Sequence, residues 1–148
     1  HAIVAAHAEG FEENMYLDAA TRTYVEETGG ANFLFVDKEG TIVVPKSDSI
    51  LPSITRRSLV SVASDILGMK VEERKVRFDE IDQFVECGLC GTAAVISPVG
   101  CVNDHGREIY FENGKTEMGP VIKKLYDTLT GIQMGRIEGP EGWLYEIK

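Results

Sequence analysis

The chain has 148 residues, 43% of them hydrophobic and 26% charged, enough apolar material for one domain with its own core. No apolar run approaches the ~20 residues that a membrane-crossing helix needs, and 24 acidic against 15 basic side chains (net charge -9) oppose binding to a nucleic-acid backbone. Three cysteines, with no charged start leading into a long apolar leader, argue for a reducing, cytoplasmic setting over a secreted disulfide framework.

In chain order, "HAIVAAHAEG" (1–10) predicts the end of a helix stopped at Gly10 and truncated at its start, since nothing before it supplies a cap; the expectation is a piece of a longer protein. "ENMYLDAATRTYVEE" and "ANFLFVDKEGTIVVP" carry the β-branched and aromatic content of hairpin strands, broken at Asp18 to Ala20, at Gly29 and Gly30, and at Lys38 to Gly40. In "SDSILPSITRRSLVSV" a helix opens at Pro52 and Ser53. Leu59, Val62, Ala63, Ile66 and Leu67 recur at helical spacing, and Gly68 closes it. "KVEERKVRF" predicts a short strand, "FDEIDQFVECG" a second helix and "TAAVISPVGCV" a buried strand bounded by Gly91 and Pro98. "REIYFENGK" predicts another strand. Met118, Val121, Ile122, Leu125 and Leu129 line a C-terminal helix, followed by a glycine-containing tail that ends in a strand. One α/β domain spanning residues 1–148 accounts for the pattern.

Several short stretches could carry chemistry, and each also has a purely structural reading. The start of the Pro52 helix is either an ordinary serine cap or an anion site, because its free N–H groups, hydroxyls and Arg56 and Arg57 suit a phosphate. Cys87 and Cys90 form a C-x-x-C pair that could bind zinc or act in redox exchange, but Cys101, His105, His7 and His1 supply no second paired spacing, so no metal site is expected and two ordinary thiols are the plainer reading. The Gly91-Thr92 step offers amides and a hydroxyl to phosphate or carboxylate oxygens. Glu26 and Glu27 precede Gly29 and Gly30, so a carboxylate stands beside a turn able to approach a ligand; a charged turn between strands is the plainer reading.

Taken together, "EETGGANFLFV", "SILPSITRRSL", "CGTAAVISPVG" and "TEMGPVIKKLYDTLTGIQMGRIEGPEGW", in this order, resemble the C-terminal half of branched-chain amino acid aminotransferases, the fold-type IV class that uses pyridoxal 5'-phosphate. The resemblance covers nearly the whole chain. It implies an α/β fold, the large C-terminal domain with a pseudo-barrel of mixed strands flanked by helices. It also implies a homodimeric parent moving an amino group between leucine, isoleucine or valine and 2-oxoglutarate. Other fold-type IV enzymes, such as D-amino acid aminotransferases or aminodeoxychorismate lyases, remain open, as does a non-catalytic interaction module.

Carried over residue by residue, Glu27 in E-x-G-x-x-N matches the carboxylate that pairs with the pyridine nitrogen. Ile54 and Thr55 match the helix start that binds the cofactor phosphate, and Thr92 matches a second phosphate ligand. Ala93 matches an amide near the substrate carboxylate, and Gly30 stands where some relatives carry a substrate-facing Thr. The redox C-x-x-C of some relatives falls on Ala94 and Ser97, so that motif is missing and Cys87 and Cys90 inherit no role. The family's Schiff-base lysine, also its proton-transfer base, lies before the helix at residues 1–10; Lys38 is the first lysine here. The resemblance therefore implies an N-terminal domain as partner and a fragment without its base.

Overall fold

The computed structural model describes residues 2–112, 117–145 and 147. Its centre is a five-stranded sheet of β1 (Asn32–Val36), β2 (Ile42–Pro45), β3 (Val71–Arg74), β4 (Glu86–Gly91) and β5 (Val95–Pro98), in the order β3-β2-β1-β4-β5. All neighbours are antiparallel except β2 and β3, which are parallel. A parallel pair needs a crossover, and α2 (Ile54–Ser61) with its π-helical continuation Val62–Ile66 supplies it. Gly68, at φ +65°, ends that helix as predicted. A separate two-stranded sheet joins β6 (Cys101–Asp104) to β7 (Arg107–Tyr110), and α1 (Ala2–Ala8) and α3 (Pro120–Gln133) complete the elements.

Both faces of the sheet are covered, which is why β1 reads as the unbroken apolar run Phe33-Leu34-Phe35-Val36. On one face Leu34, Val36, Ile42 and Val44 pack against Leu59 and Val62 of the crossover helix and Ile122, Leu125 and Leu129 of α3. On the other, Phe33, Phe35 and Val43 meet Ile81, Phe84 and the β7 hairpin residues Ile109 and Phe111. Phe35 is fully buried, its ring stacked on Phe84 at 4.8 Å between centroids. Each such side chain stabilises the fold by about 1.5–3 kcal/mol through burial.

Four expectations need correction. The predicted helix at "FDEIDQFVECG" is only a 3₁₀ segment, Phe78–Gln83, because Phe84 is drawn onto Phe35 and Val85 donates to the Val36 carbonyl, committing the chain to β4. The long strand "TAAVISPVGCV" is a turn at 92–94 followed by β5 and β6, since Gly91 already pairs with Val95. The tail forms turns, not a strand, over residues 134–145, folding back on α3 where Arg136 and Ile137 donate to the Gly131 carbonyl; residues 146 and 148 lie outside the described residues. The predicted "REIYFENGK" strand is β7, and its last three residues, 113–115, also lie outside them.

The fourth correction is the arm at residues 13–27, which pairs through isolated bridges instead of continuous strands. Across it the Tyr16 N–H donates to the Glu27 carbonyl and the Tyr16 carbonyl accepts the Glu26 N–H, and Asp18 gathers its turn by accepting from the Thr21, Thr23 and Tyr24 amides and the Thr21 hydroxyl. These donors, the Thr21 hydroxyl foremost, hold the Asp18 carboxyl well below the usual carboxylate range. A depressed folded value means stability that is present above the unfolded value near ~4 and lost as pH falls toward the folded one. Asp18→Asn is therefore expected to be less stable than the parent at pH 7, with the gap starting to narrow below about pH 4 and closing only below about pH 3. Urea midpoints at pH 7, 4 and 3 check this; a constant gap would deny the carboxylate its role.

Candidate functional site at one end of the sheet

The strand directions gather the predicted site residues at one end. β1 begins there at Asn32, β2 ends there at Pro45, β4 ends at Gly91 and β5 begins at Val95. Of the connections at that end, three bear on the predicted site residues: the turn 28–31 before β1, the segment 46–53 leading into α2, and the turn 92–94 between β4 and β5. Short loops on a fixed scaffold are where functional groups concentrate.

Thr28 shapes the first turn by accepting from the Gly30 and Ala31 amides with its hydroxyl, while its own N–H donates to the Ala31 carbonyl. That turn sets Glu27 opposite Asn32 in an isolated antiparallel bridge. The Asn32 side-chain amide donates to Glu27 Oε2 at 2.8 Å, and the Leu51 N–H approaches the same oxygen at 3.4 Å. One carboxylate oxygen is thus held by protein donors, and the other oxygen of the half-buried Glu27 has no hydrogen bond among the described residues. Glu26, expected at the sequence level as part of a charged turn, is instead 9% exposed beside Val25.

The second connection runs from Leu51 into α2. Ser53 caps the helix by accepting the Arg56 N–H at 3.2 Å, so the bland serine-cap reading holds at that residue. The amides of Ile54 and Thr55, at the first two helical positions, remain donors without intrahelical acceptors. The first turn contains no acidic residue and carries Arg56 and Arg57, the reverse of what the helix dipole favours unless an anion sits there. Arg56 is turned toward the end of β2. Its Nη1 donates to the Pro45 carbonyl at 3.4 Å, and its buried Nε has no partner among the described residues. The Ile54 side chain is exposed and Thr55 half-buried, so Ile54 can serve a ligand through its backbone.

The third connection places Thr92 and Ala93 on an exposed turn. Val95, which ends it, has φ +60°, a left-handed conformation that strains a β-branched residue by roughly 1–3 kcal/mol. Gly91 packs closely on the first turn: a side-chain Cβ there would lie 3.5 Å from the Gly30 carbonyl oxygen. Gly30 itself is exposed. The structure thus brings Glu27 to the α2 approach and Gly30 to the Gly91-Thr92 step, while no hydrogen bond among the described residues joins Thr92 or Ala93 to α2.

Cys87 and Cys90 are separated by this geometry. Three residues apart on β4, they point to opposite faces, Cys87 into the Phe35 cluster and Cys90 into the Leu34 cluster. They cannot act as a pair. Burial pushes both thiols up, Cys90 to about 11 despite the neighbouring Arg56 charge. A polar depression of about 460 Å³ lined by Asp37, Lys38, Glu39, Arg74 and Glu80 lies by the β1–β2 turn, and none of the predicted site residues lines it.

The amino-transferase class IV profile matches residues 2–101. The chain belongs to this family. A branched-chain-amino-acid aminotransferase of Haemophilus influenzae is 51% identical over 138 residues, covering 93% of this chain and 40% of the relative. The crystal structure of an Escherichia coli branched-chain amino acid aminotransferase superposes with a TM-score of 0.83 at 30% identity, covering 97% of this chain and 45% of that one. A Thermobaculum terrenum branched-chain amino acid aminotransferase solved in its PLP form gives 0.79 at 32% identity, over 91% and 41%. This class IV chain therefore spans about 40% of the length of the curated relatives it matches, in their C-terminal part, and its mixed sheet with flanking helices is the fold-type IV architecture.

Within the class IV family frame, the residues that reading the chain alone left without a role are Asn32 and the Leu51 amide. Asn32 was in view, as the last letter of E-x-G-x-x-N. The Leu51 contact joins residues 24 apart and leaves no local signal.

Proposed function

We propose that this chain carries the cofactor-holding part of a branched-chain amino acid aminotransferase, using pyridoxal 5'-phosphate to move an amino group between leucine, isoleucine or valine and 2-oxoglutarate. The observation that carries the reading is the convergence, at one sheet end, of a half-tethered carboxylate with an acid-free, arginine-bearing helix start. The residues fit the cofactor at both its poles: Glu27 would face the cationic ring nitrogen, and the Ile54 and Thr55 amides with the Thr92 hydroxyl would take the phosphate. Arg56, whose buried Nε has no hydrogen-bond partner among the described residues, adds positive charge behind that helix start. When bound, the cofactor supplies the electron sink that lets the substrate Cα proton leave.

The chain's own groups bind and orient. Glu27 holds a proton on the ring nitrogen by offering it a charged acceptor, and the α2 amides fix the other end of the cofactor. The Ala93 amide would receive the substrate carboxylate, with Gly30 leaving room beside it. The proton-transferring lysine is assigned to the portion of the relatives that this chain does not span, as is the N-terminal domain that would close the site. Residues 1–148 are read as a single domain, and a cytoplasmic homodimer follows from the same reading; no helix among the described residues is long and apolar enough to cross a membrane.

Spectral titration of the full-length protein with pyridoxal 5'-phosphate tests the reading, with saturable absorbance changes as the expected result. Thr92→Val should weaken cofactor binding about tenfold, the scale of one hydrogen bond to a charged group, while the far-ultraviolet circular dichroism is unchanged. Unchanged affinity would remove Thr92 from the site, and no binding by the parent would overturn the function.

A further inference from the structure

We propose that Asn32 is a positioning residue for Glu27, its side-chain amide deciding which carboxylate oxygen is left to face the cofactor ring. The inference rests on the reading above, in which Glu27 meets the ring nitrogen. Asn32 is 5% exposed, and its backbone is fixed twice: it pairs with Cys90 across β1 and β4, and its carbonyl accepts the Cys90 thiol at 3.3 Å. From that anchored position Nδ2 donates to Glu27 Oε2 at 2.8 Å.

The orientation of the amide is dictated by chemistry. Turned over, it would set its own oxygen against a carboxylate oxygen, so the nitrogen must face Glu27. The other end of the amide shows what this costs, because Oδ1 is buried with no partner among the described residues. An unmet buried acceptor destabilises the fold. An apolar residue of similar size would continue the β1 run Phe33–Val36 without that cost, so packing does not account for an asparagine here. The bond to Glu27 does. With the Leu51 amide nearby, it confines Oε2 and leaves Oε1 as the oxygen without a hydrogen bond among the described residues.

The test compares two ligands in the full-length protein: pyridoxal 5'-phosphate and its 1-deaza analogue, in which a C–H replaces the ring nitrogen. A carboxylate facing the ring nitrogen favours the first over the second, and a purely structural defect would weaken both alike. Glu27→Gln, Asn32→Leu, Asn32→Ala and the Glu27→Gln/Asn32→Leu double variant are titrated with both ligands, with thermal melts to confirm folding. Asn32→Ala stands in should the larger side chain prevent folding. Each single variant is expected to reduce the preference for the natural cofactor by about tenfold, and the double variant by no more than Glu27→Gln alone. Loss of the preference in Glu27→Gln with full retention in the Asn32 variants would overturn the positioning role and leave the proposed function standing. Retention in Glu27→Gln would overturn both.

Discussion

Glu27→Gln in the full-length protein is expected to slow the leucine-driven half-reaction by about 10²- to 10³-fold, the usual consequence of removing one preorganised electrostatic contact. The substitution keeps the shape of the side chain and its hydrogen bond from Asn32 but removes the charge that, in the proposed function, faces the ring nitrogen. The groups proposed to hold the phosphate, at the α2 start and Thr92, are untouched, so the cofactor should remain bound and the loss should fall on Cα proton removal. Glu26 is a poor control, being itself buried. Glu39→Gln is a better one: Glu39 is exposed in the β1–β2 turn, a strand's length from the site. Stopped-flow spectra with leucine decide the matter, and equal rates in the two variants would return Glu27 to the role of a turn residue.

Gly119→Ala should destabilise the domain by about 3 kcal/mol, lowering its melting temperature by roughly 10 °C. α3 begins at Pro120 with Gly119 as an N-cap that has no side chain to offer. Its cap comes instead from β4: the buried Glu86 accepts from the Val121 amide at 3.2 Å and the Ile122 amide at 3.1 Å. A carboxylate at a helix N-terminus is favourable on dipole grounds as well. An added methyl at 119 would occupy the place of the Glu86 carboxyl, forcing a buried charge away from its only partners among the described residues. Gly29→Ala, where an added Cβ meets nothing within 4 Å, should change stability far less. Urea denaturation of both variants checks the difference, and equal midpoints would mean that α3 is capped by other means.

The elements that the chain alone revealed are those whose signals are local. The β1–β2 hairpin follows from two β-branched and aromatic runs separated by Asp37-Lys38-Glu39-Gly40, and Gly40 takes the positive φ that such a turn demands. α2 follows from Ser53 and the apolar spacing through Leu59 to Ala63, and α3 from the stripe through Ile122, Leu125 and Leu129. The 3₁₀ segment at 78–83 was misread because its residues have adequate helix propensity; the stacking of Phe84 on Phe35 outweighs it. Both partners of that contact are needed to see it.

The candidate site divides the same way. A carboxylate before two glycines, a helix start rich in donors and a Gly-Thr step each have local chemical meaning, but it is the family resemblance of the four motifs together that singles out Glu27, Thr55 and Thr92. By itself the sequence determined the class of fold, the order of its motifs and the types of group available to hold an anion and a cation. Only the tertiary structure decided that antiparallel registry brings those groups to one end of one sheet, that Asn32 and the Leu51 amide hold one oxygen of Glu27, that Cys87 and Cys90 are parted by β4, and that Glu86 caps α3. The physical reason is range. Propensity and capping act within a few residues, whereas a hydrogen bond between partners 24 to 36 positions apart exists only after burial of the sheet has fixed where each strand ends.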